Sequence, residues 1–256
     1  MGALEGKLSL VTGAGTGIGL GVAKRFAEEG ASVVFHYASS AKGALDAVSE
    51  INERGGKALA IQADLRLVPE CRRLVQEAVD FLGGLDILVN NAGVTLTKSF
   101  EETTEEDYTD LFNVNMRGYY FCAQESLKHI LQRTGGSILN LTSVHAFAGM
   151  ANHTAYAATK GANYTFTRTL ATELAPKRVR VNAIGPGLIE VPRYFRTMPD
   201  YTTEKGQSWV PWGRVGLPED IGAVAVFFSS DGADFITGQV IYVDGGQTAK
   251  MSIPRD

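Results

Sequence analysis

Short apolar runs alternate with longer amphipathic segments along the chain. The short runs are continuously apolar and rich in β-branched residues, which is typical of strands buried on both faces. The longer segments have the period of helices, with apolar residues recurring every three or four positions. This pattern predicts seven strands, at LSLV, ASVVFHY, KALAIQADL, DILVNNAG, SILNLTS, RVNAIGPG and QVIYVDGG.

Helices are predicted between these strands, in the segments VAKRFAEEG, GALDAVSEINERGG, 69–81, 105–131, 155–174 and 218–230. Regular alternation of strand and helix predicts an α/β fold with a doubly wound, seven-stranded parallel sheet and helices on both faces. Residues 1–256 are predicted to form one domain, because no linker or repeat divides them. Residues 188–212 are predicted to be irregular, since they are rich in proline and aromatic residues.

Composition narrows the classes of function. The chain has 256 residues, of which 45% are hydrophobic and 20% charged, with a net charge of −4. No basic stripe indicates nucleic acid or an anionic membrane as a partner. The N-terminus lacks a signal-peptide pattern and no apolar run is long enough to span a membrane, so we expect a cytoplasmic location. The four histidines have no metal-ligand spacing, and no metal is predicted.

A glycine-rich turn follows the first predicted strand, with the sequence TGAGTGIG from Thr12 to Gly19. Glycines let a backbone approach a pyrophosphate closely, and a helix N-terminus supplies N–H groups to it. Such a turn can also be purely structural. The strand before it and the helix after it favour a dinucleotide site, for which the predicted contacts are Gly13, Thr16, Gly17, Ile18 and Gly19.

A second candidate site lies between Ser143, at the end of the fifth strand, and the following helix. Tyr156 and Lys160 are four residues apart, so they project from one helix face. If the loop folds back, a hydroxyl, a phenol and an ammonium converge there. Such a group can move a proton to or from an alcohol, provided that another agent carries the electrons. A nucleophilic role for Ser143 is disfavoured, because no G-x-S-x-G elbow surrounds it.

The ordered set of motifs resembles the short-chain dehydrogenases/reductases, which are single-domain Rossmann oxidoreductases. The set contains the glycine turn, Asp64, Asn90-Asn91-Ala92-Gly93, Asn115, Ser143, Tyr156-Ala-Ala-Thr-Lys160, Pro186-Gly187 and Asp244-Gly245-Gly246. The resemblance covers nearly the whole chain. It implies an enzyme that transfers a hydride between a nicotinamide cofactor and a CH–OH or carbonyl group.

The resemblance also implies cofactor contacts. Asp64, followed by Leu65, would accept from the adenine amino group, although Asp64 could instead cap the next helix. The segment Asn91, Ala92 and Gly93 would pass under the adenosine ribose. Pro186, Gly187 and Ile189 would hold the nicotinamide carboxamide. Val191 stands where the family often has a threonine, which removes the basis for a hydroxyl contact at that position.

The end of the second strand bears on the choice of cofactor. An acidic residue there would bind the ribose hydroxyls and repel a 2′-phosphate. The segment from Tyr37 to Lys42 contains no carboxylate and offers Ser39 and Ser40 as donors. NADP is therefore favoured over NAD. NADP-preferring relatives often carry Arg or Lys where this chain has Thr16, and the segment could also be a polar loop that caps the second helix.

Catalytic roles follow from the same resemblance. Tyr156 would exchange the proton with the substrate oxygen, Ser143 would position that oxygen, and Lys160 would stabilise the phenolate and contact the nicotinamide ribose. Asn115 would hold a water that relays protons from Lys160, or would stabilise a kink in its helix. His145 is predicted to contact the substrate together with Ser143 and Tyr156, or to be a polar loop residue.

Residues 188–212 lie where the family has its mobile substrate lid. Their aromatic residues are mixed with Glu190, Arg193 and Arg196, which predicts a lid that closes over a small polar molecule. The segments around Ser143 and Asn182 resemble bacterial aldose 1-dehydrogenases, so oxidation of a sugar to a lactone is the first hypothesis. Reduction of a 3-oxoacyl thioester or another ketone with NADPH is the second. A catalytically inactive, cofactor-binding scaffold is a third. A homotetramer is expected by analogy with the family, through the helices at 105–131 and 155–174, the last strand and the C-terminal tail.

Overall fold

A parallel sheet of seven strands forms the centre of the molecule in the computed structural model, which describes residues 2–250. The strands are β1 (Leu8–Val11), β2 (Ser32–Tyr37), β3 (Ala58–Gln62), β4 (Ile87–Asn90), β5 (Gly136–Leu141), β6 (Val179–Pro186) and β7 (Val240–Val243). Their order in the sheet is β3-β2-β1-β4-β5-β6-β7. The helices are α1 (Gly17–Glu28), α2 (Ala41–Glu53), α3 (Val68–Leu82), α4 (Glu105–Phe112), α5 (Gly118–Ile130), α6 (Thr154–Leu174), α7 (Pro192–Thr197), α8 (Thr203–Ser208) and α9 (Pro218–Ser229).

Two apolar cores lie on opposite faces of this sheet. Successive residues of β1 show why, because Val11 packs into the core formed with α1, α2 and α9, whereas Leu10 packs into the core formed with α3, α5 and α6. The strands β1, β2, β4, β5 and β6 therefore bury both of their faces, which explains their continuously apolar sequences. The edge strand β7 is only partly buried. The predicted single-domain, doubly wound Rossmann fold is confirmed.

The strand order reverses between β1 and β4, and this reversal creates a crevice. From β1 the chain winds outward through β2 to β3 and then returns to pair β4 with β1. Loops at the carboxyl ends of β1 and β4 therefore diverge, which is where open α/β sheets bind ligands. The Thr12 N–H donates to the Val89 carbonyl at 2.9 Å and extends the pairing into the crevice.

Two segments differ from the predicted elements. The helix predicted over 105–131 is divided, because a π-helical turn at Asn113–Arg117 separates α4 from α5. The prediction that 188–212 lacks regular structure was wrong in part, since α7 and α8 lie within it. Pro192 begins α7, and the Thr202 side chain caps α8 by accepting from the Lys205 N–H at 3.2 Å. A proline in the first turn and a threonine cap are both signals for the start of a helix. They were overlooked because the segment as a whole is rich in proline and aromatic residues.

No helix within residues 2–250 combines the length and apolarity needed to cross a membrane. The part of the predicted C-terminal interface beyond Lys250 lies outside the described residues.

Candidate active site

The glycine turn is held against the loop that follows β4. Gly13 and Gly17 adopt left-handed conformations, with φ of 66° and 57°. A Cβ atom on Gly19 would lie 2.3 Å from both the Gly13 carbonyl oxygen and the Asn91 amide nitrogen. That amide donates to the carbonyls of Thr12 (2.9 Å) and Gly13 (3.1 Å). Only glycine leaves space for this arrangement.

The first turn of α1 presents free backbone donors at this site. Gly17, Ile18 and Gly19 open the helix, Thr16 precedes it in an extended conformation without capping it through its side chain, and no acidic residue lies in the first turn. The unsatisfied N–H groups and the positive end of the helix dipole favour an anion. The cradle fits the pyrophosphate of a dinucleotide.

The start of α2 is similarly open. Tyr37 ends β2, and Ser39 and Ser40 are exposed before the helix. The Ser40 hydroxyl makes no capping hydrogen bond, and the first turn of α2 contains no acidic residue. A Cβ atom on Gly15 would meet the Ser40 carbonyl oxygen at 2.3 Å, so this loop packs directly on the glycine turn. Lys42 pairs with Asp46 at 2.5 Å.

Asp64 and Leu65 follow β3, as predicted, and Leu65 is buried. The Asp64 carboxylate accepts two bonds from the Arg66 guanidinium, at 3.0 and 2.8 Å through different oxygens. Hydrogen bonding from Arg66 lowers the pKa of Asp64. The alternative role as a helix cap is not observed, because Leu67 occupies that position of α3. Arg66 was not predicted from the sequence, because it belongs to none of the motifs.

The loop after β4 joins the turn to the catalytic residues. The Thr12 hydroxyl, which the sequence analysis did not select, accepts from the N–H groups of Asn91 (2.9 Å) and Ala92 (3.0 Å). A Cβ atom on Gly93 would lie 3.2 Å from the Asn115 side-chain oxygen and 3.7 Å from the Lys160 ammonium. The backbone at Gly93 therefore lies between the predicted cofactor residues and the predicted catalytic residues Asn115 and Lys160.

Ser143, Tyr156 and Lys160 converge as the sequence predicts. The Lys160 ammonium is buried, donates to the Leu141 carbonyl at 2.9 Å and lies 5.7 Å from the centre of the Tyr156 ring. Burial lowers the pKa of Lys160 to about 8. Burial raises the pKa of the Tyr156 phenol, whereas the hydroxyls of Ser143 and Thr95 oppose that shift.

Asn115 lies in the π-helical turn and is fully buried. Its side-chain oxygen accepts from the Val94 N–H, and its side-chain nitrogen donates to the Val94 carbonyl, both at 2.9 Å. The main-chain carbonyl of Asn115 accepts from the Asn163 side-chain amide at 3.0 Å. Asn115 therefore fixes the loop beyond Gly93. This agrees with a stabilising role at the interruption of the helix and leaves the water relay as a prediction.

The predicted nicotinamide turn follows β6. Gly187 packs so closely on the turn after β7 that a Cβ atom would lie 2.6 Å from the Asp244 side chain. Ile189 is buried beside Pro186 and Gly187 in sequence and pairs with Gly216. The Val191 side chain lies 3.1 Å from the Cβ position of Gly17, so the residue that replaces the family's threonine packs on the phosphate turn.

Two histidines line the approach to Tyr156. The His145 ring stacks on the His153 ring at 5.0 Å and stands edge-on to the Tyr156 ring at 5.5 Å. His153 is held by the Thr97 hydroxyl (3.2 Å) and the Ala151 carbonyl (2.8 Å). Of these two histidines, only His145 was predicted from the sequence. His153 was missed because it stacks on a residue eight positions away and is bound by Thr97 in the loop after β4. Neither contact produces a periodic pattern in the sequence.

Helix α7 lies near the Tyr156 phenol. The charge of Arg193 acts to lower the pKa of Tyr156, and the Tyr194 hydroxyl acts to raise it. The Arg193 guanidinium stacks over the Tyr194 ring at 5.6 Å. Arg193 and Tyr194 therefore lie close enough to Tyr156 to act on its charge, and α7 can form part of a substrate pocket.

Known proteins are similar to this chain over nearly its whole length. A family model described as enoyl-(acyl carrier protein) reductase matches residues 13–248. The chain belongs to the short-chain dehydrogenase/reductase family. It is 43% identical, over 95% of each chain, to the hydroxynaphthalene reductase-like protein Arp2 of Metarhizium anisopliae. It is 34% identical to a short-chain dehydrogenase of Burkholderia cenocepacia solved with NADP, with a TM-score of 0.89 over 96% of this chain and 99% of that one.

A blue fluorescent protein from a metagenomic library, solved with NADPH, has the same TM-score of 0.89 at 33% identity and covers 96% of this chain and 99% of its own. Family membership makes this short-chain dehydrogenase/reductase an NAD(P)-dependent oxidoreductase acting on CH–OH or carbonyl groups.

Proposed function

We propose that the protein uses NADPH to reduce a ketone carbonyl on a hydroxylated aromatic ring system. The observation that carries the substrate class is the aromatic cluster around Tyr201 in residues 188–212. The reductive direction is supported by the similarity to a hydroxynaphthalene reductase-like protein, and the Tyr156 phenol is the group that would give a proton to the developing alkoxide.

The lid supports an aromatic substrate. Tyr201 is its centre, and the rings of Tyr194, Phe195 and Trp209 lie 5.4, 5.2 and 6.4 Å from it. Rings of this kind stack on planar molecules and bind them through apolar area. The Metarhizium relative carries the name of a hydroxynaphthalene reductase. These two observations favour the ketone hypothesis over the aldose hypothesis, which the names of the compared relatives do not support.

NADP rather than NAD is supported by the open start of α2. Ser39 and Ser40 are exposed there without an acidic neighbour in the first helical turn. The two compared structures were solved with NADP and NADPH. Gly13, Thr16, Gly17, Ile18 and Gly19 would hold the pyrophosphate. Asp64 would hold the adenine, and Gly93, Lys160 and Ile189 would hold the nicotinamide ribose and carboxamide.

The bound cofactor supplies the hydride that the carbonyl carbon receives. Ser143 donates a hydrogen bond to the carbonyl oxygen and aligns it with the Tyr156 hydroxyl. Tyr156 transfers its phenolic proton to that oxygen, so the carbonyl becomes an alcohol and the phenol becomes a phenolate. Lys160 stabilises the phenolate until a proton from solvent replaces the one transferred. His145 and His153 line the approach to Tyr156, where they can contact a ring hydroxyl of the substrate.

A homotetramer remains part of the proposal. Tyr120 on α5 is exposed and lies 5.6 Å from the Phe166 ring on α6, which leaves an aromatic surface across two helices. Light scattering coupled to size-exclusion chromatography tests it, and a monomeric mass would refute it.

The experiment on function is a substrate screen with all four nicotinamide cofactors. The panel contains hydroxylated naphthalenones, 2-tetralone, acetoacetyl thioesters, D-glucose and L-rhamnose. We expect the highest kcat/KM for a hydroxylated naphthalenone with NADPH. Faster oxidation of either sugar would restore the aldose hypothesis, and faster reduction of the thioester would favour the acyl reductase. Cofactor binding without turnover on any substrate would indicate an inactive scaffold.

A further inference from the structure

His36 lies in β2 behind the cofactor cleft and is 1% exposed. Its Nδ1 accepts from the Gly13 N–H at 3.0 Å, and its Nε2 lies 3.0 Å from the Ala63 carbonyl oxygen. An amide N–H can only donate and a carbonyl can only accept, so the ring is neutral with its proton on Nε2. Burial agrees with this state, because it lowers the pKa of His36 to about 4.

Both partners belong to segments that bind the adenosine half of the cofactor in the proposed function. Gly13 opens the phosphate turn, and Ala63 immediately precedes Asp64. The backbone of the same strand adds two further bonds, since the His36 carbonyl accepts from the Ala14 N–H (2.7 Å) and the Tyr37 carbonyl accepts from the Ala63 N–H (3.1 Å). The imidazole is thus a side-chain link between the phosphate turn and the adenine loop.

We propose that His36 is a positioning residue that holds the phosphate turn and the adenine loop in register, and so sets the affinity for the adenosine half of NADP(H). It acts through Gly13 and Ala63 and does not touch the cofactor. The inference rests on the proposed function only in that a dinucleotide binds here. It does not depend on which ketone or alcohol is the substrate.

Three substitutions of His36 distinguish the effect of losing its two hydrogen bonds from the effect of changing the packing of its ring. His36→Phe keeps a ring in the core but leaves a buried N–H and a buried carbonyl without partners. The Oδ1 atom of Asn occupies a position like that of Nδ1, so His36→Asn can keep the bond to Gly13. The Nε2 atom of Gln resembles the imidazole Nε2, so His36→Gln can keep the bond to Ala63. His129→Phe, on α5 and outside the cleft, is the matched control.

Binding is measured by titration calorimetry with NADPH, with 2′,5′-ADP as the adenosine half and with nicotinamide mononucleotide as the other half. For His36→Phe we expect Kd to rise roughly ten- to hundredfold for NADPH and 2′,5′-ADP. Kd for nicotinamide mononucleotide and kcat at saturating NADPH should stay within about threefold, the scatter expected of a mutation that leaves the reacting groups in place. His36→Asn and His36→Gln each keep one of the two bonds, so their affinities should lie between those of His36→Phe and the wild type, and the control should match the wild type.

An unchanged Kd for 2′,5′-ADP in His36→Phe would overturn the proposal, as would an equal rise for both halves of the cofactor. If His36→Phe does not fold, the other two variants decide. Neither His36→Asn nor His36→Gln joins the two segments, so wild-type affinity in both would show that the link between them does not set the affinity. Because these readouts use cofactor fragments, a wrong substrate assignment would leave them unaffected.

Discussion

The cofactor half and the substrate half of the site are fixed in different ways. In the cofactor half, short side chains and glycines bind backbone directly, as Thr12, His36 and Asn91 show. In the substrate half, long aromatic side chains pack on one another, and Phe147 and Trp212 are 69% and 75% exposed. The buried Nδ1 of His145 makes no hydrogen bond to any residue that the structure describes.

This contrast indicates which properties follow from the fold and which depend on side chains particular to this protein. Backbone contacts at a strand reversal give the same cofactor cradle to every chain that folds this way. Side chains on loops can be exchanged without disturbing the sheet, so selectivity for one substrate is located there. Changes in the first half should therefore affect cofactor binding, and changes in the second should affect substrate alone.

The largest expected effect comes from removing the proton donor itself. Tyr156→Phe keeps the ring beside His145 but cannot protonate the alkoxide, so we expect kcat to fall about 10²- to 10⁴-fold. Kd for NADPH should stay within a few-fold, because the cradle is untouched. Stopped-flow single turnovers and fluorescence titration measure the two quantities. A variant that retains a tenth of wild-type turnover would show that another group donates the proton.

The cradle is broken most directly at Gly19. A Cβ atom there would lie 2.3 Å from the Gly13 carbonyl oxygen, so Gly19→Ala should displace the phosphate turn and destabilise the protein by about 1–3 kcal/mol. Gly161→Ala is the matched control, because no neighbouring atom lies within 4 Å of its Cβ position. Alanine in the middle of α6 should instead stabilise by up to about 1 kcal/mol. Equal urea midpoints for the two variants would contradict the steric account.

The burial of Lys160 is expected to lower the stability of the protein, although the same residue is predicted to take part in catalysis. Burial lowers its pKa to about 8 in the folded protein, against about 10.4 in an unfolded chain. Between these values the unfolded chain binds more protons, so the free energy of unfolding rises with pH across this window. Below pH 8 that contribution is absent, and the buried charge costs about 3 kcal/mol.

Lys160→Met should therefore raise the free energy of unfolding at pH 7 by about 1–3 kcal/mol. Turnover should fall, although less than in Tyr156→Phe, because the variant lacks the charge that would stabilise the phenolate. The stability advantage should shrink as pH approaches 10. Urea unfolding of both proteins at pH 7, 8.5 and 9.5 measures it. An advantage that is constant with pH would show that Lys160 is not the titrating group.

The sequence predicted the sheet, its helices and the convergence of Ser143, Tyr156 and Lys160, because periodicity and helical spacing are local properties. It did not predict the link from His36 to Gly13 and Ala63, because that contact joins three separate strand ends through one side chain. Arg66 and Thr12 were missed for the same reason. Thr12 lay inside the motif, but its role as an acceptor for the β4 loop depends on the pairing of β1 with β4.

The lid was the least predictable part. Its composition indicated a loop, whereas Pro192 and Thr202 start two short helices. The ranking of substrates also changed here, because the clustering of Tyr194, Phe195 and Trp209 around Tyr201 is a property of the fold. In sequence these residues are interrupted by charged and small residues that suggested a polar substrate.

The smallest expected effect tests whether this cluster belongs to the substrate half alone. The Tyr201 hydroxyl donates to the Glu190 carboxylate at 2.8 Å, which also accepts from the Thr203 hydroxyl at 2.9 Å. Tyr201→Phe removes one bond to a charged group and should loosen the lid by about 1 kcal/mol. We expect KM for the ketone to rise about five-fold, as that energy implies, with Kd for NADPH unchanged. Tyr120→Phe, on α5, is the control. If Kd for NADPH changed as much as KM, the two halves of the site would be coupled through Glu190 and its neighbour Ile189, and the separation between them would fail.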